Sequence, residues 1–124
     1  MAFVRCSGGV PAVNVITDSI AVPPSAITSK ILYTATKNKA VNATITIAFS
    51  ASTSISSATF SDSYLTIGNT NYPIYNNLLP FTNPVSVLTC VINANIAAGE
   101  SITIGWHNKS AAITQTLDIA IALS

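Results

Sequence analysis

Apolar and polar residues alternate with a period of two through much of this chain. Val41, Ala43, Ile45, Ile47 and Phe49 share one face of the segment Val41–Phe49, and Asn42, Thr44, Thr46 and Ala48 share the other. Ile102, Ile104 and Trp106 alternate with Ser101 and Thr103 in the same way. Near the end, Ile113, Leu117, Ile119, Ile121 and Leu123 fall on one side, opposite Thr114, Thr116, Asp118 and Ala120. This period predicts β-strands with one buried face. Thr, Ile and Val dominate, and their branched Cβ atoms suit a pleated surface. Further strands are expected at 30–35, 63–67 and 72–75, with 12–20 as an N-terminal strand or arm. Val85–Ile96 is apolar on both sides, with Leu88, Cys90, Ile92, Ala94 and Ile96 on one and Val85, Val87 and Val91 on the other. A strand of this kind is expected inside a sandwich or at a subunit interface.

Turn signals separate the strands. Pro23-Pro24 stops an extended segment, and Gly68-Asn69-Thr70-Asn71 predicts a hairpin. Ala97-Ala98-Gly99-Glu100 reverses the chain, and 76–84 reads as a loop. Ser50–Ser57 is a loop or a weak edge strand. The expected fold is all-β: a single jelly-roll-like β-sandwich of about seven to nine antiparallel strands. Residues 1–29, with two glycines and three prolines, are expected to form an arm or anchoring segment, and residues 30–124 the sandwich. The strand that ends the chain is expected to pair within its own subunit, the alternative being donation to a neighbour.

Charge changes the picture. The 124 residues carry five basic and four acidic side chains, 7% of the total, against 49% hydrophobic residues. A free-standing domain carries about 25% charged residues. A neutral Thr-rich surface is suited to lying against copies of itself. Lys37-Asn38-Lys39 is the one basic run, which is too thin for phosphate neutralisation, so nucleic acid is not an expected partner. No apolar run is long enough for a transmembrane helix, and no membrane partner is expected. The opening segment has no signal-peptide h-region, so synthesis in a cytoplasm without export is expected.

Candidate chemistry is sparse, and no enzyme activity is expected. His107 is the only histidine, and among four carboxylates an orienting partner for it is not expected. Asp18, Asp62, Glu100 and Asp118 read as solubility and turn residues rather than a glycosidase pair. One His and no CxxC leave no metal site, and Gly8-Gly9 is too short for a phosphate loop, so no cofactor is expected. Cys90 reads as a small buried hydrophobe; its pairing with Cys6 is left open by spacing alone. Asn42-Ala43-Thr44 and Asn108-Lys109-Ser110 match the glycosylation triplet, as chance matches in so Asn- and Thr-rich a chain. Trp106 is expected in the core. Tyr64, Tyr72 and Tyr75 cluster in sequence with Phe60 and Phe81 and read as packing or interface residues. The alternative is a glycan-contact surface. With Val85, Val87 and Val91 they are the candidate interface or ligand surface.

The opening Met1-Ala-Phe-Val-Arg-Cys-Ser-Gly-Gly9 resembles the start of small structural proteins of tailed phages and prophages. Ile96-Ala-Ala-Gly-Glu-Ser-Ile-Thr-Ile104 is similar to a strand–turn–strand of jelly-roll domains in phage fibres and trimeric C1q/TNF-like heads. Together the two cover under a fifth of the chain, and they carry over no catalytic or receptor residues. The resemblance implies a virion component such as a capsid decoration protein, head fibre or tail accessory. Its implied partners are copies of itself and other virion proteins, with a host surface glycan as a further partner. The expected location is then the virion. The alternatives are an extracellular prokaryotic filament subunit joined by strand donation and a carbohydrate-binding β-sandwich module.

Overall fold

The computed structural model describes residues 14–124. These form eight strands: β1 (Asn14–Val22), β2 (Ile27–Thr34), β3 (Lys39–Thr53), β4 (Tyr64–Ile67), β5 (Thr70–Pro73), β6 (Val85–Ile96), β7 (Ser101–His107) and β8 (Gln115–Leu123). Two short 3-10 turns, Ser57–Phe60 and Tyr75–Asn77, flank β4 and β5.

The strands pair as a long hairpin folded about the β4–β5 turn. β4 pairs with β5, β3 with β6, β2 with β7 and β1 with β8, all antiparallel. Rolling this hairpin brings β8 against β3 and β7 against β4. The result is two four-stranded sheets, ordered β1-β8-β3-β6 and β2-β7-β4-β5. That order is a jelly roll, in which every crossing between sheets is made by a loop at one end of the sandwich.

Period two decides what faces inward. Val41, Ala43, Ile45, Ile47 and Phe49 of β3 are buried, as are Leu117, Ile119, Ile121 and Leu123 of β8. Leu65, Ile67, Ile102, Ile104 and Trp106 meet them from the second sheet. At one end Phe60 bridges the layers, its ring centroid 6.5 Å from Phe49 and 5.3 Å from Trp106. The β4–β5 hairpin turns on Gly68, whose φ of 62° favours glycine. A Cβ there would also meet the Glu100 carboxylate at 2.7 Å.

The structure corrects or narrows the sequence reading in three places. The arm expected over 1–29 lies, in its described part, inside the sandwich: β1 runs in unbroken register along β8, and position 29 falls within β2. Residues 1–13 lie outside the described part. β3 runs on to Thr53, so the start of Ser50–Ser57 is strand. Val85–Ile96 has the expected bounds, but it is an edge strand rather than an interior one, and Val87 is 52% exposed on its outer side. The turn at 97–100 reverses the chain as expected and carries it from one sheet to the other. β8, flanked by β1 and β3, is paired within its own subunit.

Exposed strand edges are managed differently on the two sides. β5 is short and contains Pro73, and the edge of β6 is occupied near its middle by Leu78 and Leu79, the latter donating its N–H to the Thr89 carbonyl at 2.8 Å. On the opposite side β1 and β2 are joined across the layers by Asp18 and Lys30, 2.7 Å apart. Lys30 hydrogen-bonds the Asp18 carboxylate and holds its pKa below the ordinary aspartate value.

Ile45→Ala should lower the unfolding free energy by about 2–5 kcal/mol, the cost of deleting methylenes in a packed core. Val87→Thr, on the exposed face, should change it by no more than about 0.5 kcal/mol. Urea unfolding followed by Trp106 fluorescence measures both.

Candidate functional site

Polar side chains concentrate at the end of the sandwich where β7 leaves the second sheet. The turn after the first 3-10 segment brings Ser61, Asp62 and Ser63 against His107 and Lys109. Asp62 Oδ2 lies 3.1 Å from Lys109 Nζ and 3.3 Å from His107 Nδ1. His107 therefore has the carboxylate neighbour that its sequence context did not suggest. Forty-five residues separate the pair along the chain, and only the β4–β7 pairing brings them together. The Lys109 ammonium, and secondarily the His107 ring, hold the Asp62 carboxyl below the ordinary aspartate range.

The two serines do not complete a nucleophile–base pair here. Ser63 is buried, its hydroxyl accepting from the His107 N–H at 3.1 Å and facing the His107 carbonyl at 3.5 Å. Ser61 Oγ accepts from Lys109 Nζ at 2.5 Å. Among the described residues the His107 ring bonds only to Asp62. One carboxylate contacts an ammonium and an imidazole and links the 61–63 turn to the end of β7. The other carboxylates lie elsewhere. Asp18 pairs with Lys30, Glu100 accepts from the Ala97 N–H at 2.9 Å, and Asp118 accepts from Ser19 Oγ at 2.9 Å.

Next to this clasp sits Asn108, fully buried. Its amide nitrogen reaches the carbonyls of Val22, Pro23 and Ile113 at 3.0, 3.2 and 2.8 Å, and its Oδ1 accepts from the Ser110 N–H at 3.0 Å. One side chain thus joins the end of β1, the entry to β2 and the approach to β8. This use leaves no room for a glycan on Asn108. Asn42 of the other triplet is exposed, donating to Asn93 Oδ1 at 2.6 Å. The signal for Asn108 is the Asn-Lys-Ser turn composition directly after a strand. Gln115, buried behind Trp106, is the second polar core residue the sequence reading passed over. Its signal is a polar side chain on the apolar phase of β8.

The tyrosines and valines do not form one surface. Tyr64 and Tyr72 occupy neighbouring positions on β4 and β5 that face opposite sides of the sheet, because Tyr72 pairs with the inward Leu65. Tyr72 and Tyr75 pack against the core, as does Phe81, while Phe60 is inside it. The Tyr64 hydroxyl donates to the Ser61 carbonyl at 3.2 Å. Val85, Val87 and Val91 lie on the other sheet, with Val85 partly packed against the core and Val87 exposed. Cys90 is buried in β6, and burial pushes its thiol up to about 11. Its candidate partner Cys6 lies outside the described residues.

The largest uniform surface is the outer face of the β1-β8-β3-β6 sheet. Its outward positions include Thr17 and Ser19, Thr116, Ala120 and Ala122, Asn42, Thr44, Thr46 and Ala48, and Val87, Thr89 and Val91. Among the described residues Asp118 is its one charged side chain. On the second sheet Ile27 and Ile31 are exposed, both on the outer side of the edge strand β2. No helix among the described residues is long and apolar enough to cross a membrane, and no cluster of three or more His, Cys, Asp or Glu side chains there is placed to hold a metal ion. No family model, no characterised protein and no solved structure matches this chain.

Two outcomes test the polar end. A carbon-detected NMR titration should place the Asp62 midpoint below the ordinary aspartate value, and Lys109→Met should raise it. Because the folded pKa is the lowered one, the contribution of Asp62 to stability is complete above the ordinary carboxylate range and fades as pH falls through that lowered value. Asn108→Ala orphans buried carbonyls and should cost about 1–3 kcal/mol or more in urea unfolding.

Proposed function

We propose that this chain is a structural subunit of a repeating assembly, and that the assembly is a virus particle, with the subunit as a decoration, head-fibre or tail accessory protein. The observation that carries the reading is the outer face of the β1-β8-β3-β6 sheet, where Thr, Ala, Val, Ser and Asn surround the single charge of Asp118. Docking such a face removes apolar area from water at about 25 cal/mol per Å2. It leaves few ions to strip of water, which is the main opposing cost at charged interfaces.

Geometry favours an extended assembly over a closed pair. The four strands, of 9, 9, 15 and 12 residues and spaced about 4.8 Å apart, present a footprint of roughly 700 Å2. A standard interface covers about 800 Å2 of accessible surface per partner, so this face is close to the size of one standard contact. Ile27 and Ile31 offer a second apolar patch on the opposite sheet. Unlike patches on opposite sides support head-to-tail contacts, which build rings or open arrays. Jelly rolls serve in viral capsids and in lectins alike. The choice between them rests on the surface rather than the fold, and here the neutral face and the phage-like opening segment favour the particle.

Sedimentation over a wide concentration range should show reversible association, and electron microscopy of concentrated protein should show rings, sheets or fibres. Thr44→Lys places a charge at the centre of the neutral face and should weaken association at least tenfold with the melting temperature unchanged. A strict monomer at every concentration, or full association of the Thr44→Lys variant, would reject assembly through this face. Antibody labelling of particles released by cells that make the protein tests the virion assignment, and unlabelled particles would reject it.

A further inference from the structure

A cavity of about 220 Å3 opens at the Phe60–Trp106 end of the sandwich, between the segment that follows β3 and the 108–114 loop. At about 30 Å3 per water it has room for roughly seven waters. Phe49 and Ile113 supply apolar wall, and Thr53, Ser54 and Thr59 supply hydroxyls. Its inner end is Gln115, only 2% exposed.

The orientation of the Gln115 amide follows from its neighbour. Trp106 Nε1 lies 2.7 Å from Gln115 Oε1, and an indole nitrogen can only donate. The amide oxygen therefore faces the indole, and the Nε2 group is turned away from it. Those N–H groups have no hydrogen-bond partner among the described residues, although the side chain is almost wholly buried. A buried donor pair left open at the inner end of a solvent-reaching cavity is the signature of a site for an oxygen-bearing guest.

The lining also selects the guest. Among the described residues Lys109 is the one charged residue on the wall, and its ammonium is already held by Ser61 Oγ and Asp62. The site therefore has no free charge with which to recruit an ion. A ring of hydroxyls, an amide donor and an apolar wall match a molecule with hydroxyls at its edge and C–H groups on its face. We infer that this cavity binds a neutral pyranose, the terminal sugar of a glycan, with one sugar oxygen accepting from Gln115 Nε2. This site is distinct from the Tyr64, Tyr72 and Tyr75 region and is independent of the assembly face.

Trp106, the only tryptophan, reports on the site through its bond to Gln115. Glucose, galactose, mannose, N-acetylglucosamine and N-acetylgalactosamine are titrated separately into the full chain, and the Trp106 indole N–H resonance is followed by NMR. At least one sugar should give a saturable shift at millimolar concentration, with saturation transfer to its own protons. Ser54→Phe puts a ring at the mouth and should weaken that binding at least tenfold while the rest of the spectrum stays native. Gln115→Glu keeps the acceptor for Trp106 and removes the amide donors, and it should weaken the same sugar at pH values where the new carboxyl is ionised. The absence of a saturable shift with any of the five sugars at tens of millimolar would overturn the inference. So would a natively folded Ser54→Phe that binds as tightly as the parent chain.

Discussion

The structure depends on sealing two apolar sheet faces against each other while almost no ionic groups are present to hold the outside in water. The central strands send their apolar side chains inward on every second residue, from Val41 to Phe49 on β3 and from Leu117 to Leu123 on β8. A sheet with one such face is unstable alone. Rolling the eight-strand hairpin supplies the second sheet from the same chain, and it moves β8 from the end of the sequence to the middle of a sheet. Burial of the hydrophobic face therefore dictates the topology, and the charges are left with local tasks.

Those tasks fall where the roll would otherwise gape. Asp18 and Lys30 join the two edge strands on one side. Asp62, Lys109 and His107 close the end at which β7 leaves its sheet. Asn108 satisfies carbonyls at the end of β1, at the entry to β2 and on the approach to β8. Buried polar groups of this kind are costly unless fully bonded, and when bonded they specify one arrangement of the loops. Gln115 departs from that rule, because its oxygen is committed to Trp106 while its nitrogen has no hydrogen-bond partner among the described residues.

The outside follows from the same alternation. Once the aliphatic residues turn inward, the opposite phase of β1, β3, β6 and β8 becomes a sheet face of Thr, Ala, Ser, Asn and Val. Such a face has little to repel a neighbour and modest apolar area to gain from one. In the proposed assembly such contacts, repeated over many copies, reinforce one another.

The sequence by itself determined the strand content, the inward residues and the all-β class, because period two and branched side chains act locally and survive in any arrangement of the strands. It placed Trp106 in the core and Val85–Ile96 in a strand for that reason. Tertiary structure alone decided which strands lie at edges, so Val87 faces outward and residues 14–29 belong to the sandwich. It also brought Asp62 to His107 and split Tyr64 from Tyr72, since both outcomes turn on the register between strands distant in the chain. Register is set by how the two buried faces fit together, and no local pattern encodes that fit.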